Sequence, residues 1–266
     1  MSGETLLIER RGAIEIATLN RPESLNAINF DLTQALTAYF EGLHDREDVR
    51  VVILRGAGRA FCAGLDLKGF GGDGVERGRM QQGLRTQRAI ARVVKLMRSC
   101  PQPIIALGHG AACGGGFSFM LAADVRYGAP SLRMNAAYIK IGLGGADIGA
   151  SYLLPRLVGL SVASEMLLTG RFIDAARAKA IGLVSEIVEE KDLLDAGLAL
   201  AADMLLTAPF GLRLTKDALN LAIDAPSLEA AMALEDRQQI LLSATEDHPE
   251  AMAAFLEKRA PNYRDR

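Results

Sequence analysis

Pro103-Ile104-Ile105-Ala106-Leu107, then Gly108-His109-Gly110, then Cys113-Gly114-Gly115-Gly116 opening an apolar run to Ala123, is the stretch whose reading decides the fold. A short apolar segment bounded by turn residues reads as a strand buried on both faces. The glycines let the chain turn tightly, and the apolar residues after them read as a helix. Upstream, Val49-Arg50-Val51-Val52-Ile53-Leu54 is a second buried strand, ended by Arg55-Gly56-Ala57-Gly58. Strand, glycine turn and helix, repeated along the chain, indicate parallel crossovers and an α/β fold.

Outward from that stretch, Leu6-Leu7-Ile8 and Ile14 to Leu19 flank Glu9-Arg10-Arg11-Gly12 and read as a hairpin. Asp31 to Glu41 places Leu32, Ala35, Leu36, Tyr39 and Phe40 at the spacing of an amphipathic helix. The glycine-rich segment Gly69–Gly74 reads as a mobile loop before a helix over Arg79–Arg98. Val125–Tyr127 and Leu132–Met134 suggest short strands, and Ser151–Val158 and Ser161–Thr169 suggest helices. Beyond Gly170 the chain becomes alanine-rich and helical: Asp174–Ala180, Lys191–Thr207, Pro209–Ala222, Ser227–Leu242 and Asp247–Lys258. We divide it into a core over residues 1–200 and a C-terminal helical region over 201–266.

The 266 residues are long enough to bury a sizeable core without a disulfide or metal staple. With 50% hydrophobic and 23% charged residues the composition is that of a globular protein and excludes a disordered or fibrous chain. Thirty basic against 32 acidic side chains give a net charge of -2, so there is no general electrostatic drive toward nucleic acid or an anionic membrane. A polyanionic ligand would need a local basic patch. Cys62, Cys100 and Cys113 are odd in number and irregularly spaced, which reads as reduced thiols and a cytoplasmic protein. Met1–Thr18 lacks the pattern of a secretory leader, and no stretch approaches 18 uninterrupted apolar residues.

Gly69-Phe70-Gly71-Gly72-Asp73-Gly74 has the spacing G-x-G-x-x-G, but no apolar strand feeds it, so a nicotinamide site is not expected. A P-loop is absent, and Ser118 lacks the following glycine of a nucleophile elbow. His44, His109 and His248 are far apart and without ligand-spaced partners, so neither a metal nor a serine triad is expected. A catalytic base would then be a carboxylate. Two glycine turns remain, Cys62-Ala63-Gly64-Leu65-Asp66 and Cys113-Gly114-Gly115-Gly116, each leaving backbone N–H groups unpaired where a helix begins. Their glycines serve either close packing or the sharing of one oxyanion between two donors.

Asn20-Arg21-Pro22, Leu25-Asn26-Ala27, Arg59 to Leu67, Gly110 to Gly116, Pro155-Arg156-Leu157-Val158-Gly159 and Thr169-Gly170-Arg171 together resemble the crotonase, or enoyl-CoA hydratase/isomerase, superfamily. The resemblance runs from about Ile8 to Tyr263. It implies a crotonase-like ββα spiral core with a C-terminal helical trimerisation region, assembled as a homotrimer or a dimer of trimers. It also implies an acyl-CoA substrate, with coenzyme A as part of the thioester and no permanently bound cofactor. By position, the N–H groups of Ala63 and Gly115 resemble the oxyanion hole. Leu25, Ala27, Asp66 and Leu67 fall where such proteins hold coenzyme A, and Phe255 and Lys258 match a C-terminal pair that closes on it. The Gly69–Gly74 loop and the helix carrying Met80 and Leu84 are expected to line the acyl pocket.

Where hydratases of this family carry two glutamates, this chain has Ser118 and Tyr138. Neither replaces a carboxylate near neutral pH. Asp147, in Gly142-Leu143-Gly144-Gly145-Ala146-Asp147-Ile148-Gly149, resembles the catalytic aspartate of dienoyl-CoA isomerases with one residue inserted; its other reading is a cap for the helix that follows. Asp124, His109, Cys62 and Cys113 read as structural. The chain is therefore expected to isomerise a double bond in an unsaturated acyl-CoA through Asp147. The alternatives are enoyl-CoA hydration, with Asp147 and Tyr138 sharing the work, and a non-catalytic acyl-CoA binder.

Overall fold

The computed structural model describes residues 4–266. Strands β1 (Leu6–Arg11) and β2 (Ile14–Leu19) form the expected antiparallel hairpin. From β2 the large sheet grows by parallel pairing through β3 (Val51–Gly56), β4 (Ile104–Gly108), β6 (Val125–Gly128) and β9 (Glu186–Ile187), in the order β1-β2-β3-β4-β6-β9. A second, three-stranded sheet joins β5 (Ala111–Cys113), β7 (Arg133–Asn135) and β8 (Ile173–Asp174). Successive turns of the chain thus give one strand to each sheet and then a helix: β4, β5 and α3 (Gly115–Ala122), then β6, β7 and α4 (Ala150–Val158). The preceding turn does the same with less regularity, since Cys62 bridges Ala112 beside β5 before α2 (Arg79–Ser99) begins.

The continuous apolar character of β3 and β4 follows from burial on both faces. Val52, Leu54, Ile104 and Ala106 point into the main core with α1 (Phe30–Gly42), α2 and α3, where Leu36, Phe40, Val93, Met97, Phe117 and Phe119 pack. Their alternates Val51, Ile53, Ile105 and Leu107 face a second core closed by Leu193 and Ala201 of α7 (Leu193–Leu205). Residue 200, where the sequence was divided, therefore lies inside a helix that belongs to the sheet by packing. Helix starts follow their capping residues: Asn29 accepts from the Leu32 amide at 3.0 Å, Asp174 from Arg177 at 2.9 Å ahead of α6 (Ala175–Ala180), and Ser227 from Ala230 at 3.2 Å.

Helices α5 (Leu160–Thr169), α8 (Pro209–Ala222), α9 (Leu228–Ser243) and α10 (Asp247–Glu257) complete the chain. Helix α8 is pinned to the core by Lys216, whose buried ammonium donates to the carbonyls of Met97 (3.1 Å) and Gln102 (2.8 Å) and pairs with Asp124 at 2.9 Å. Asp124 also accepts from the Ile104 amide and pairs with Arg98, which is the structural role expected of it. Among the described residues, no single helix is long and apolar enough to cross a membrane.

Candidate active site

The two glycine turns meet. Cys62 donates to the Ala111 carbonyl and accepts from the Cys113 amide, both at 2.9 Å. At Gly64, with φ at +97°, an added Cβ would stand 2.8 Å from the Cys113 carbonyl oxygen; at Gly116 it would stand 2.2 Å from that of Cys62. No side chain fits either gap, so the packing role of these glycines is real. The same closeness faces the start of α3 toward the other turn, because that Gly64 Cβ would lie 3.6 Å from the Gly115 nitrogen. As the first residue of α3, Gly115 has no carbonyl of its own helix to donate to.

The amide left free opposite Gly115 is not that of Ala63, which the family resemblance points to. The Ala63 amide is already committed, donating to the Leu25 carbonyl at 2.9 Å. Next along the chain, Ile28 donates to the Gly64 carbonyl at 2.7 Å and accepts from the Asp66 amide at 3.0 Å. Alternation along this extended segment turns the Leu65 N–H to the other side. Among the described residues neither the Leu65 nor the Gly115 amide makes a hydrogen bond. A residue not singled out from the sequence organises this arrangement. Asn26, fully buried with φ at +56°, donates to the carbonyls of Ala57 (2.9 Å), Ala60 (2.8 Å) and Phe61 (3.2 Å) and accepts from the Arg21 amide at 2.8 Å. The available signal was an asparagine, a residue type that tolerates left-handed backbone, between the apolar Leu25 and Ala27.

Ser118 and Tyr138 come together in the core, with their oxygens 3.5 Å apart. Burial pushes the Tyr138 phenol up to about 12; the Ser118 contact opposes that and the negative charge of Asp147 adds to it. Asp147 is half-buried and is not the cap of α4, which begins after Gly149 without a side-chain cap. Its Oδ1 instead accepts from the Ile148 amide at 2.7 Å and from the side-chain amide of Gln87 on α2. Ile148 adopts φ at +30°, a strained conformation for a β-branched residue, costing of order 1–3 kcal/mol. Its side chain reaches toward α3, 3.7 Å from where a Cβ on Gly115 would be. The one carboxylate of this segment thus precedes a residue whose side chain packs toward the Gly115 turn, and its charge acts on Tyr138.

Leu25, Ala27, Asp66 and Leu67 lie on the adjoining segments. Arg21 ties them, donating to the Ala27 carbonyl and pairing with Asp66 at 3.0 Å. Phe255 is 84% exposed, and Lys258 ends α10 with φ at +55°; within one chain the structure does not bring them to the site. The thiols of Cys62 and Cys113 are pushed up by burial to about 12 and about 11, which fits packing residues rather than nucleophiles. His109 is buried in its turn, 2.9 Å from the Gly58 carbonyl. A cavity of about 580 Å³ opens between α1, α2 and the segment around Gly72, with Phe30, Phe70 and Leu84 among its walls. Met80 is 83% exposed and does not line it, and neither does Asp147, Ser118 or Tyr138. Its walls carry Arg77, Arg85, Arg88 and Arg92, of which Arg77 and Arg85 pair with Asp73 in the same lining and Arg92 pairs with Glu41. Among the described residues no cluster of His, Cys, Asp or Glu is placed to hold a metal ion.

Comparison with known proteins agrees with this architecture. The family model for enoyl-CoA hydratase/isomerase matches residues 9–266. A probable enoyl-CoA hydratase, EchA12, of Mycobacterium tuberculosis is 42% identical over 264 residues, covering 98% of this chain and 93% of the relative. The 1,2-epoxyphenylacetyl-CoA isomerase of Escherichia coli K12 is 32% identical over 260 residues, 98% of each chain. A putative enoyl-CoA hydratase from Streptomyces coelicolor A3(2) superposes with a TM-score of 0.91 at 38% identity, over 98% of this chain and 94% of that one. The chain belongs to the enoyl-CoA hydratase/isomerase family, and its fold is that of the crotonase superfamily. It is accordingly an enzyme of that family, whose substrates are coenzyme A thioesters.

Proposed function

We propose that the protein isomerises a double bond in an unsaturated acyl-CoA, with Leu65 and Gly115 holding the thioester oxygen and Asp147 moving the proton. The single observation that carries this reading is the replacement of a two-carboxylate site by one carboxylate, Asp147, beside a buried neutral pair, Ser118 and Tyr138. Removal of a proton from one carbon and its return to another needs one base, whereas addition of water also needs a group to position the nucleophile. The enolate formed between the two steps carries its charge on the thioester oxygen. Two preorganised N–H donors stabilise that charge, each worth about 3–4 kcal/mol in the transition state. Tyr138, held neutral, is available as a donor and not as a base.

In the same reading Leu25, Ala27, Asp66 and Leu67 contact coenzyme A from one subunit while Phe255 and Lys258 close on it from another. The exposed apolar side chains of α8 to α10, including Leu219, Ile240 and Leu256, support a homotrimer or a dimer of trimers. Three free cysteines support a cytoplasmic setting. Purified wild type and Asp147→Asn, assayed on 2-enoyl-, 3-enoyl- and 3,5-dienoyl-CoA with products identified by mass, test the reaction. Turnover of a 3-enoyl or dienoyl thioester that the variant loses is the expected result. Water addition by the wild type would replace isomerisation with hydration, and tight binding without turnover would make the protein a binder.

A further inference from the structure

The side chain of Gln87 has no role in the reading above, yet it crosses 60 residues of sequence to reach the proposed base. It stands on the exposed part of α2, where its neighbours Arg85, Thr86 and Arg88 turn to the cavity on the other side of the helix. A glutamine amide can donate from nitrogen and accept at oxygen, and here the nitrogen donates to Asp147 Oδ1. The same oxygen accepts from the Ile148 amide at 2.7 Å. Oδ1 is thus satisfied twice, and Oδ2 makes no hydrogen bond among the described residues. An aspartate side chain held only by its own neighbour's amide would still rotate about its terminal torsion, which is broad and poorly restrained. A second donor from another element removes that freedom.

We infer that Gln87 is a positioning residue: its amide fixes the Asp147 carboxylate with Oδ1 occupied and Oδ2 presented to the acyl chain. The inference rests on Asp147 being the base. Its physical content is orientation, because a base that must take a proton from one carbon and return it to another has to reach both from one place. The strained backbone of Ile148 and the Gln87 amide act together, the first setting where the aspartate sits and the second which oxygen is free.

Three variants test it by steady-state kinetics on whichever unsaturated acyl-CoA the wild type turns over: Gln87→Leu, Gln87→Glu and Asp147→Asn. Gln87→Leu removes the donor at similar size, and Gln87→Glu sets an acceptor of negative charge against Asp147. If Gln87 positions the base, kcat falls about tenfold in Gln87→Leu with KM within about twofold of wild type. Gln87→Glu falls further near neutral pH, although glutamate is a good helix former at an exposed site. Wild-type kcat and KM in both Gln87 variants, with Asp147→Asn inactive, overturn the inference and leave Asp147 as the base. Equal losses in kcat and 1/KM together with a lowered Tm also overturn it, because they describe a structural contact. Full activity in Asp147→Asn overturns both the inference and the reading on which it rests.

Discussion

The core and the C-terminal helices of the chain bury their apolar residues to very different degrees. In the core, Val52, Leu54, Phe117 and Met134 are wholly inaccessible, and the large sheet is covered on both faces by helices of the same chain. In the C-terminal helices, Leu219 is 69% exposed and Leu228 and Ile240 are both 71% exposed. Propensity and capping are enough to make those helices, and the leucine and isoleucine they show to solvent are the surface that the proposed homo-oligomer would cover. The two sheets and the helices packed on them close their cores within one chain; the last helices are held to them by polar anchors such as Lys216 and Asn220.

Substitutions in the two regions should therefore diverge. Phe117→Ala opens a cavity under α3 and is expected to cost about 3–5 kcal/mol in urea unfolding, the largest effect. Lys216→Ala breaks a buried pair and leaves Asp124 with Arg98 alone; about 3 kcal/mol is expected from the same measurement, together with loosened α8 amides in hydrogen exchange. Tyr138→Phe acts through pH. The phenol lies higher in the fold, about 12, than the usual 10 of an unfolded chain, so its contribution is complete below pH 10 and is lost as pH rises toward 12. At about pH 11 the variant should retain about 1 kcal/mol that the wild type has lost, relative to their difference at neutral pH. Leu228→Ala should change the stability of the isolated chain by less than about 0.5 kcal/mol while sedimentation velocity shows weakened self-association. A large stability loss from Leu228→Ala in the dilute monomer would erase the contrast between the regions.

Most of the fold was legible because burial on two faces writes itself as an apolar run and glycine marks where that run ends. The strands at Val51 and Ile104 and the helices at Phe30, Arg79 and Gly115 stand within a few residues of where the pattern puts them. Ala111–Cys113, Ile173–Asp174 and Glu186–Ile187 were not legible as strands: two or three residues carry no periodicity, and only their partners make them a sheet. The site divides in the same way. The two glycine turns follow from the sequence pattern, and Gly115 is singled out only through the family resemblance. Which amide of the first turn is free follows from neither, since the carbonyl of Leu25 and the bridge to Ile28 decide between Ala63 and Leu65. The Gln87 contact to Asp147 spans too much sequence to be read from any local pattern.

Leu65 and Gly115, and not Ala63, are proposed to receive the thioester oxygen. A crystal structure of the protein with a non-reactive acyl-CoA analogue that keeps its carbonyl oxygen tests this directly. That oxygen is expected about 2.7–3.1 Å from both the Leu65 and Gly115 nitrogens, with the Ala63 amide still bonded to Leu25. An oxygen bound by Ala63, or lying away from the two turns, would contradict it.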